Sequence, residues 1–378
     1  MPSPHPRSPH PRSPLTRRSL IAAGVGAALA LAPAAPAAAT RRRPFGRYGS
    51  PAARLGARTL YVHPRPGTGD FTRVQAAVDA AGGGGWTLVV APGTYREVVR
   101  VTAGHAGLAV VGASGDPRDV VIVYDNAAGT PKPGGGTYGT SGSASVTVEA
   151  DGFTARDVTF ANDWLRAEHP EIVSGTQAVA IKVTGDRSAF LRCRFLGHQD
   201  TLYADTRALT VFARQYFRDC YAEGDVDFVF GRATAVFERC RFHTLHRTDL
   251  AGAPFGFVFA PSTAVANPRG YLVARSRVTS GAPDAYYKLA RPWVPSSDQS
   301  ARPMLTVRDT WLGAGIDADE PYGTMASGHP WQNQRFGEYR NTGPGATVTD
   351  PARRPQLTAG EAASATRDEY LGDWRPYR

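Results

Sequence analysis

Lysine, cysteine and methionine are all scarce in this sequence of 378 residues. Its lysines are Lys132, Lys182 and Lys288, so arginine supplies nearly all of the positive charge behind a formal net charge of +10. Guanidinium groups pair well with carboxylates and phosphates, so a polyanion would suit this chain as a partner, although an ordinary solvated basic surface is the simpler interpretation. Hydrophobic residues make up 42% of the sequence, which excludes a disordered polypeptide and allows a large core.

No apolar run of membrane-spanning length follows the N-terminal segment. That segment combines Arg17 and Arg18 with small apolar residues at positions 20–31 and a small-residue cleavage pattern ending at Ala39. This order is typical of an export signal, and the paired arginines favour the twin-arginine route over ordinary secretion, whose signals can also contain two arginines. We predict a signal peptide at residues 1–39, a linker at 40–57 and a secreted domain at 58–378, with no membrane attachment after processing.

A recurring phrase dominates the body of the chain. It reads Phe-Leu-Arg-Cys-Arg-Phe, Phe-Glu-Arg-Cys-Arg-Phe or a close variant, and its copies begin at residues 153, 190, 217, 237, 272 and 305. We interpret the copies as short strands with alternating apolar residues. A repeat of variable length is typical of a β-solenoid with loops of different size, and a β-sandwich with chance similarity between strands is the alternative. Before the repeats, the pattern predicts strands at residues 59–62 and 86–90 and a short helix at residues 71–81.

Stacked coils would place the three cysteines, Cys193, Cys220 and Cys240, above one another at a spacing of roughly 4.8 Å. In an exported protein an odd number of cysteines suggests one disulfide and one thiol, although three reduced core cysteines remain possible. We favour a disulfide between Cys220 and Cys240, which lie one minimal coil apart. The three cysteines lack the short paired spacing of a zinc site, and we expect no metal.

Acidic and amide side chains follow two of the repeats. Asp200 and Asp227 occupy equivalent places on successive coils, so we expect their carboxyl groups to be close. Two nearby carboxylates cannot both ionise cheaply, so their pKa values separate and give one acid and one nucleophile. Gln177 and Gln199 can donate hydrogen bonds to an oxyanion, and Arg291 can hold one carboxylate ionised.

Six phrases of the sequence resemble, in order, those of the pectinesterase (pectin methylesterase) family. The resemblance extends over residues 58–378, and no single phrase would suffice to identify it. The phrases are Gly69-Asp-Phe-Thr-Arg-Val-Gln-Ala-Ala-Val-Asp79, Pro92-Gly-Thr-Tyr-Arg-Glu97, Gly197-His-Gln-Asp-Thr-Leu-Tyr203, Gly224-Asp-Val-Asp-Phe-Val-Phe-Gly231, Arg291-Pro-Trp293 and Tyr339-Arg-Asn-Thr-Gly-Pro-Gly345.

The resemblance implies an all-β fold, a single-stranded right-handed parallel β-helix with a short N-terminal capping helix. It implies a monomeric enzyme that hydrolyses the methyl esters of pectin, with no cofactor, no metal and no nucleic-acid partner. Its site roles transfer by position: Asp227 as nucleophile, Asp200 as general acid and base, Gln177 and Gln199 as oxyanion donors, Arg291 as the partner of Asp227, and Trp293, Phe228 and His198 as substrate contacts. Some bacterial members also pair cysteines at the spacing of Cys220 and Cys240.

Departures from the family pattern concern the surroundings of the site. His198 stands where tyrosine is common, Ala290 stands where glycine is frequent, and residues 205–214 are expected to form a lengthened loop beside the cleft. We expect Asp225 to face solvent. The alternatives to an esterase are a lyase, which would need clustered acids for calcium, a polygalacturonase, which would need a glycosidase carboxylate set, and a noncatalytic polysaccharide-binding solenoid.

Overall fold

The computed structural model describes residues 58–377, so the predicted signal peptide and linker lie outside the described residues. The chain winds through three parallel sheets, one strand of each per regular turn. The first sheet contains β1 (Thr59–Val62), β2 (Thr87–Val90), β5 (Ala109–Gly112), β8 (Thr154–Arg156), β11 (Ser188–Leu191), β14 (Arg214–Arg218), β17 (Thr234–Glu238), β20 (Tyr271–Ala274), β23 (Met304–Arg308) and β25 (Arg335–Tyr339).

The second sheet contains β3 (Gly93–Arg96), β6 (Val120–Tyr124), β9 (Thr159–Asn162), β12 (Arg194–Leu196), β15 (Tyr221–Gly224), β18 (Arg241–Thr244), β21 (Arg277–Ser280) and β24 (Trp311–Leu312). The third contains β4 (Val99–Val101), β7 (Val146–Val148), β10 (Ile181–Val183), β13 (Leu202–Ala204), β16 (Val226–Gly231), β19 (Gly256–Pro261) and β22 (Tyr287–Ala290). The predicted right-handed parallel β-helix is confirmed.

Each repeated phrase turns out to be a corner rather than one strand, which corrects the prediction of single strands. A strand of the first sheet ends, one residue bends the chain, and a strand of the second sheet begins. The bend residue has a left-handed backbone, as in Asp157 (φ 59°), Arg192 (φ 51°), Asp219 (φ 55°) and Arg239 (φ 53°). Asp157 accepts both arms of the Arg192 guanidinium at 2.7 Å, so opposite charges on neighbouring coils offset the strain of the bends.

Aromatic side chains stack from coil to coil inside the helix. Phe190 and Phe217 lie 4.9 Å apart and nearly parallel, and Phe217 and Phe237 lie 4.7 Å apart. The register that pairs β11 with β14 and β14 with β17 aligns these three residues. The same periodicity that marks the repeat in the sequence therefore builds the core.

The three cysteines occupy one equivalent position just after the corners, as predicted, but all are free, buried thiols in this structure. The thiols of Cys220 and Cys240 lie near main-chain oxygens, at 3.5 Å from Phe190 O and 3.4 Å from Phe217 O. The predicted Cys220–Cys240 disulfide is thus not formed here. Equivalent positions on adjacent parallel strands lie roughly 4.8 Å apart, a spacing that a disulfide can bridge.

A short helix, α1 (Val74–Ala80), closes the N-terminal end, in agreement with the predicted capping helix. It begins later than expected because Phe71 pairs with Val62 as a β-bridge instead of joining the helix. Glu97, which is buried, accepts from the amides of Val74 at 2.8 Å and Gln75 at 3.0 Å, so another coil supplies the cap. The other α-helices within residues 58–377 are α2 (Gly139–Gly142), α3 (Ala359–Ala363) and α4 (Arg367–Leu371).

Candidate active site

A cleft of about 550 Å³ lies along the third sheet and contains most of the predicted site residues. Asp200, Asp227, Gln177, Gln199 and Arg291 all line it. Its other lining residues are Tyr138, Gly139, Thr140, Ser141, Tyr203, Phe230, Arg232, Ala260, Trp293, Pro295, Ser297 and Met325. Residues separated by more than 100 positions in the sequence therefore meet in one cavity.

The register of the third sheet brings the two aspartates together. Strands β13 and β16 pair Leu202 with Val229 and Tyr203 with Phe230, an offset of 27 positions (229 − 202). The same offset separates Asp200 from Asp227, and the Asp200 amide donates to Val226 O at 3.0 Å. Adjacent coils thus present the two carboxyl groups side by side.

Both aspartates have a left-handed backbone, with φ 65° at Asp200 and φ 51° at Asp227. Such a conformation is unfavourable for a residue with a side chain and persists only where surrounding contacts impose it. At Asp227 the contact is a fork from Arg291, whose Nε and Nη2 donate to the two carboxylate oxygens at 2.8 and 2.6 Å. The guanidinium lies 4.3 Å from the centre of the Phe257 ring, which supports it from behind.

The two carboxyl groups differ in their protonation. Burial, reinforced by the charge of Asp227, raises the pKa of Asp200 well above its usual value. Burial also raises the pKa of Asp227, but the hydrogen bonds and charge of Arg291 oppose that change. Of the two carboxyl groups Asp200 therefore has the more strongly raised pKa, and Arg291 favours the ionised form of Asp227.

Two hydrogen bonds to its side-chain oxygen orient Gln199. Its Oε1 accepts from Thr176 Oγ1 at 2.7 Å and from Arg166 Nη2 at 3.4 Å. Both partners are donors here, so the amide nitrogen of Gln199 is the group left to donate into the cleft. Gln177 lies on the preceding coil, where Ala178 N donates to Gln199 O at 3.0 Å and keeps the two glutamines adjacent.

Aromatic rings form one wall of the cleft. Tyr203 and Phe230 stack at 4.1 Å, and Trp293 packs against them at 6.1 and 5.7 Å respectively. Arg232 lies over the Trp293 ring at 5.1 Å. Sequence reasoning found Trp293 and missed the other three, although Phe230 stands in the same phrase as Asp227.

Phe228, a predicted substrate contact, lies outside the cleft. It is fully buried in the core and does not line the cleft, so its position contradicts the predicted substrate contact. Phe228 follows the cleft-facing Asp227 directly, so alternation along β16 turns its side chain into the core. The pairing of β16 with β19 shifts between Val226 and Val229, so Val229 also enters the core and Phe230 faces the cleft.

Asp225 is buried, which corrects the expectation that it faces solvent. Burial by itself would raise the pKa of Asp225, but the hydrogen bonds from His198 and Arg166 outweigh it and hold this pKa well below its usual value. His198 Nδ1 lies 3.2 Å from Asp225 Oδ2, and His198 does not line the cleft. The predicted contact between His198 and substrate is therefore not supported by its position.

The loop that follows β13 does not border the cleft, contrary to expectation: residues 205–214 contribute nothing to its lining. Its link to the cleft is Asp205, which accepts from Arg232 Nη1 through both oxygens at 3.1 Å. Ala290, the other departure, ends β22 and is fully buried directly before Arg291.

Among residues 58–377, no group of three or more His, Cys, Asp or Glu side chains is placed to hold a metal ion. No helix in this range is long and apolar enough to cross a membrane.

Comparison with known proteins places the chain in a family. The family model described as Pectinesterase matches residues 61–373. Pectinesterase A of Dickeya dadantii (strain 3937) is 34% identical over 335 residues, which cover 81% of this chain and 88% of the relative. The pectin methylesterase of Erwinia chrysanthemi has a similar structure, with a TM-score of 0.75 and 30% identity over 84% of this chain and 98% of that one.

A pectin methylesterase mutant solved in complex with a hexasaccharide is similar to the same degree, with a TM-score of 0.75, 30% identity and coverage of 84% and 98%. The matches run through the β-helix and the cleft rather than through one motif. The chain belongs to the pectinesterase family.

Proposed function

We propose that this enzyme hydrolyses the C6 methyl esters of galacturonate units in pectin through Asp227 as nucleophile, releasing methanol and demethylated pectin. The observation that carries the proposal is the Arg291 fork on Asp227 beside the buried carboxyl group of Asp200. The hexasaccharide complex of the similar pectin methylesterase supports a carbohydrate polymer as substrate. Breakdown of pectin and modification of plant cell walls would follow from this activity.

In the first step the Asp227 carboxylate attacks the ester carbonyl carbon. The electron pair of the carbonyl moves to its oxygen, and the amides of Gln177 and Gln199 donate to the resulting oxyanion. The tetrahedral intermediate then collapses, the bond to the methoxy group breaks, and protonated Asp200 gives its proton to the departing oxygen. Methanol leaves, and an acyl-enzyme anhydride joins Asp227 to the sugar carboxyl group.

In the second step Asp200, now ionised, accepts a proton from water as that water attacks the acyl carbon. Collapse of the second tetrahedral intermediate releases Asp227 as a carboxylate and the galacturonate as its free acid, which ionises in solution. Asp200 ends protonated, so each group returns to its starting state. Trp293 and the rings beside it offer flat apolar surfaces for the sugars.

Replacing Asp227 by asparagine tests the nucleophile. The substitution keeps the shape of the side chain, and asparagine tolerates the left-handed backbone at this position. We expect methanol release from highly methylated pectin to fall by at least roughly 10³-fold. Asp157→Asn is the matched control, because Asp157 also has a left-handed backbone and accepts a fork from an arginine, Arg192.

The control should retain activity, and both variants should keep the circular dichroism spectrum of the wild type. Substantial activity in Asp227→Asn would contradict the nucleophile. Measuring polymer length in the same reactions separates the alternatives, because an esterase releases methanol without shortening the chain, whereas a lyase or polygalacturonase shortens it. A noncatalytic binding solenoid would leave the ester content unchanged.

We also propose that the protein is exported, acts outside the cell as a monomer and carries a Cys220–Cys240 disulfide. Arg17 and Arg18 before an apolar run support export, and the stacking of the cysteines on adjacent coils supports the pairing. Protein recovered from the culture medium, alkylated in denaturant without reductant, should then carry one alkyl group, at Cys193. Three alkyl groups would contradict the disulfide, and a Cys193–Cys220 peptide would identify the other stacked pair.

A further inference from the structure

The polar groups behind Gln199 form a connected network that neither the nucleophile nor the acid requires. Arg166 donates to Asp225 through Nη1 at 2.6 Å and through Nη2 at 3.1 Å. The same Nη2 reaches Gln199 Oε1 at 3.4 Å. One guanidinium therefore joins a buried carboxylate to a glutamine of the cleft.

The buried carboxylate of Asp225 anchors this network. Its side chain is 1% exposed, and besides Arg166 it accepts from the Val226 amide at 2.6 Å and lies 3.2 Å from His198 Nδ1. A buried carboxylate with several donors cannot move without losing them, so it holds Arg166 in one orientation. Asp225 is also two positions before Asp227, so its backbone belongs to the site.

The segment that carries Arg166 is anchored as well. Arg166 begins a single 3₁₀ turn, Arg166–Glu168, two positions after the fully buried Trp164. The Trp164 ring stacks on His169 at 5.5 Å, and its amide donates to Asn162 Oδ1 at 3.1 Å. The turn is thereby fixed at both ends of its short length, and Arg166 projects from it onto Asp225.

We propose that Arg166 is a positioning residue, which Asp225 holds in place so that the guanidinium fixes the Gln199 amide with its nitrogen towards the oxyanion. Arginine has only donors, so the oxygen of Gln199 must face it, and Thr176 reinforces the same choice through a 2.7 Å hydrogen bond. Without these two donors the amide could rotate by half a turn and present its oxygen to the oxyanion, which is repulsive. This inference rests on the proposed esterase mechanism.

The effect should appear in kcat rather than KM, because the oxyanion exists only after attack. Loss of a single oxyanion donor commonly lowers kcat by about 10² to 10³-fold, and misorientation should cost a part of that. We expect Arg166→Lys, which keeps the charge and loses the fork, to lower kcat by about tenfold, with KM within about threefold of the wild type. Thr176→Val removes the other donor with little change in size and should act in the same direction.

A double-mutant cycle with Gln199→Ala tests whether Arg166 acts through Gln199. Methanol release is measured for the wild type, Arg166→Lys, Gln199→Ala and the double variant, with Arg192→Lys as the control for altering an arginine fork elsewhere. In the Gln199→Ala background, Arg166→Lys should change kcat by less than about twofold. An undiminished tenfold loss there, or no loss in either Arg166→Lys or Thr176→Val, would overturn the inference.

Where Arg166→Lys does not fold, the same cycle run with Thr176→Val and Gln199→Ala decides the question. The proposed esterase mechanism is tested separately from the role of Arg166. A wild type that releases no methanol, or an active Asp227→Asn, refutes the proposed function, whereas additive effects of Arg166 and Gln199 in an enzyme that passes both tests refute only this inference.

Discussion

Replacing Arg291 by methionine should move the whole pH profile of the enzyme to higher pH. Asp227 would lose two charge-assisted hydrogen bonds of 2.8 and 2.6 Å while staying buried at 5% exposure. Hydrogen bonds to charged groups contribute about 1.5–3 kcal/mol each. Because the Arg291 side chain is 22% exposed, we take about 3–4 kcal/mol for the pair.

The loss of these two hydrogen bonds predicts the size and direction of the shift in the pH profile. Asp227 must be ionised to attack, so without Arg291 its pKa rises and activity on the acid side is lost; 3–4 kcal/mol corresponds to about two to three pH units. Asp200 must be protonated, and the charge of Arg291 acts to lower its pKa, so the alkaline limb moves upward too. On the acid side of the profile, below both pKa values of Asp227, we expect kcat/KM to fall by roughly 10²–10³-fold, with recovery as the pH is raised.

The assay is the initial rate of methanol release from methylated pectin between pH 4 and about pH 9, corrected at each pH for release without enzyme. Arg192→Met is the matched control, since it removes a similar fork from the buried Asp157 on another coil. It should lower thermal stability but leave the shape of the profile unchanged. A lower rate in Arg291→Met with both limbs in their original place would refute the electrostatic role of Arg291.

Three further substitutions probe the scaffold by thermal unfolding. Phe217→Ala removes the middle ring of a stack with neighbours at 4.9 and 4.7 Å and should lower the free energy of unfolding by about 3–5 kcal/mol; a loss below 1 kcal/mol would mean that the stack contributes little. Gly231→Ala should destabilise strongly, because its φ is 126° and a Cβ would lie 2.1 Å from Ala204 O, so a wild-type melting temperature would contradict the close approach of the coils. Arg354→Met leaves the 1%-exposed Glu338 without its arginine and should lower the free energy of unfolding by about 3–5 kcal/mol, so an unchanged melting temperature would contradict the importance of this buried ion pair.

The repeat made the fold predictable. Copies of one phrase with phenylalanine and cysteine at fixed places require equivalent residues to stack, and the observed ladder of Phe190, Phe217 and Phe237 follows that rule. What the repeat did not show is that each phrase bends in its middle. Asp and Arg at the bend look like ordinary surface charges in the sequence, and their left-handed backbone becomes evident only when the next coil supplies the opposite charge.

The site was predictable where its residues share the register of neighbouring coils. Asp200 and Asp227 stand in equivalent phrases, so the offset between them matched the strand pairing. Phe228 was misplaced because its role came from the family resemblance alone; its side chain follows that of Asp227 on the strand and enters the core instead of the cleft. Asp225 was misplaced because its burial involves Arg166, which arrives from a loop 59 positions away.

The winding of the chain and the stacking of its core follow from the sequence, because they depend on a pattern that repeats from coil to coil, and the family resemblance supplied the candidate groups for ester hydrolysis. Tertiary structure alone decided which ring faces the cleft, which carboxylate is buried with a cation and which donors orient Gln199. Those contacts join loops of unequal length, and the path of a loop through space is set by what it packs against rather than by its own residues.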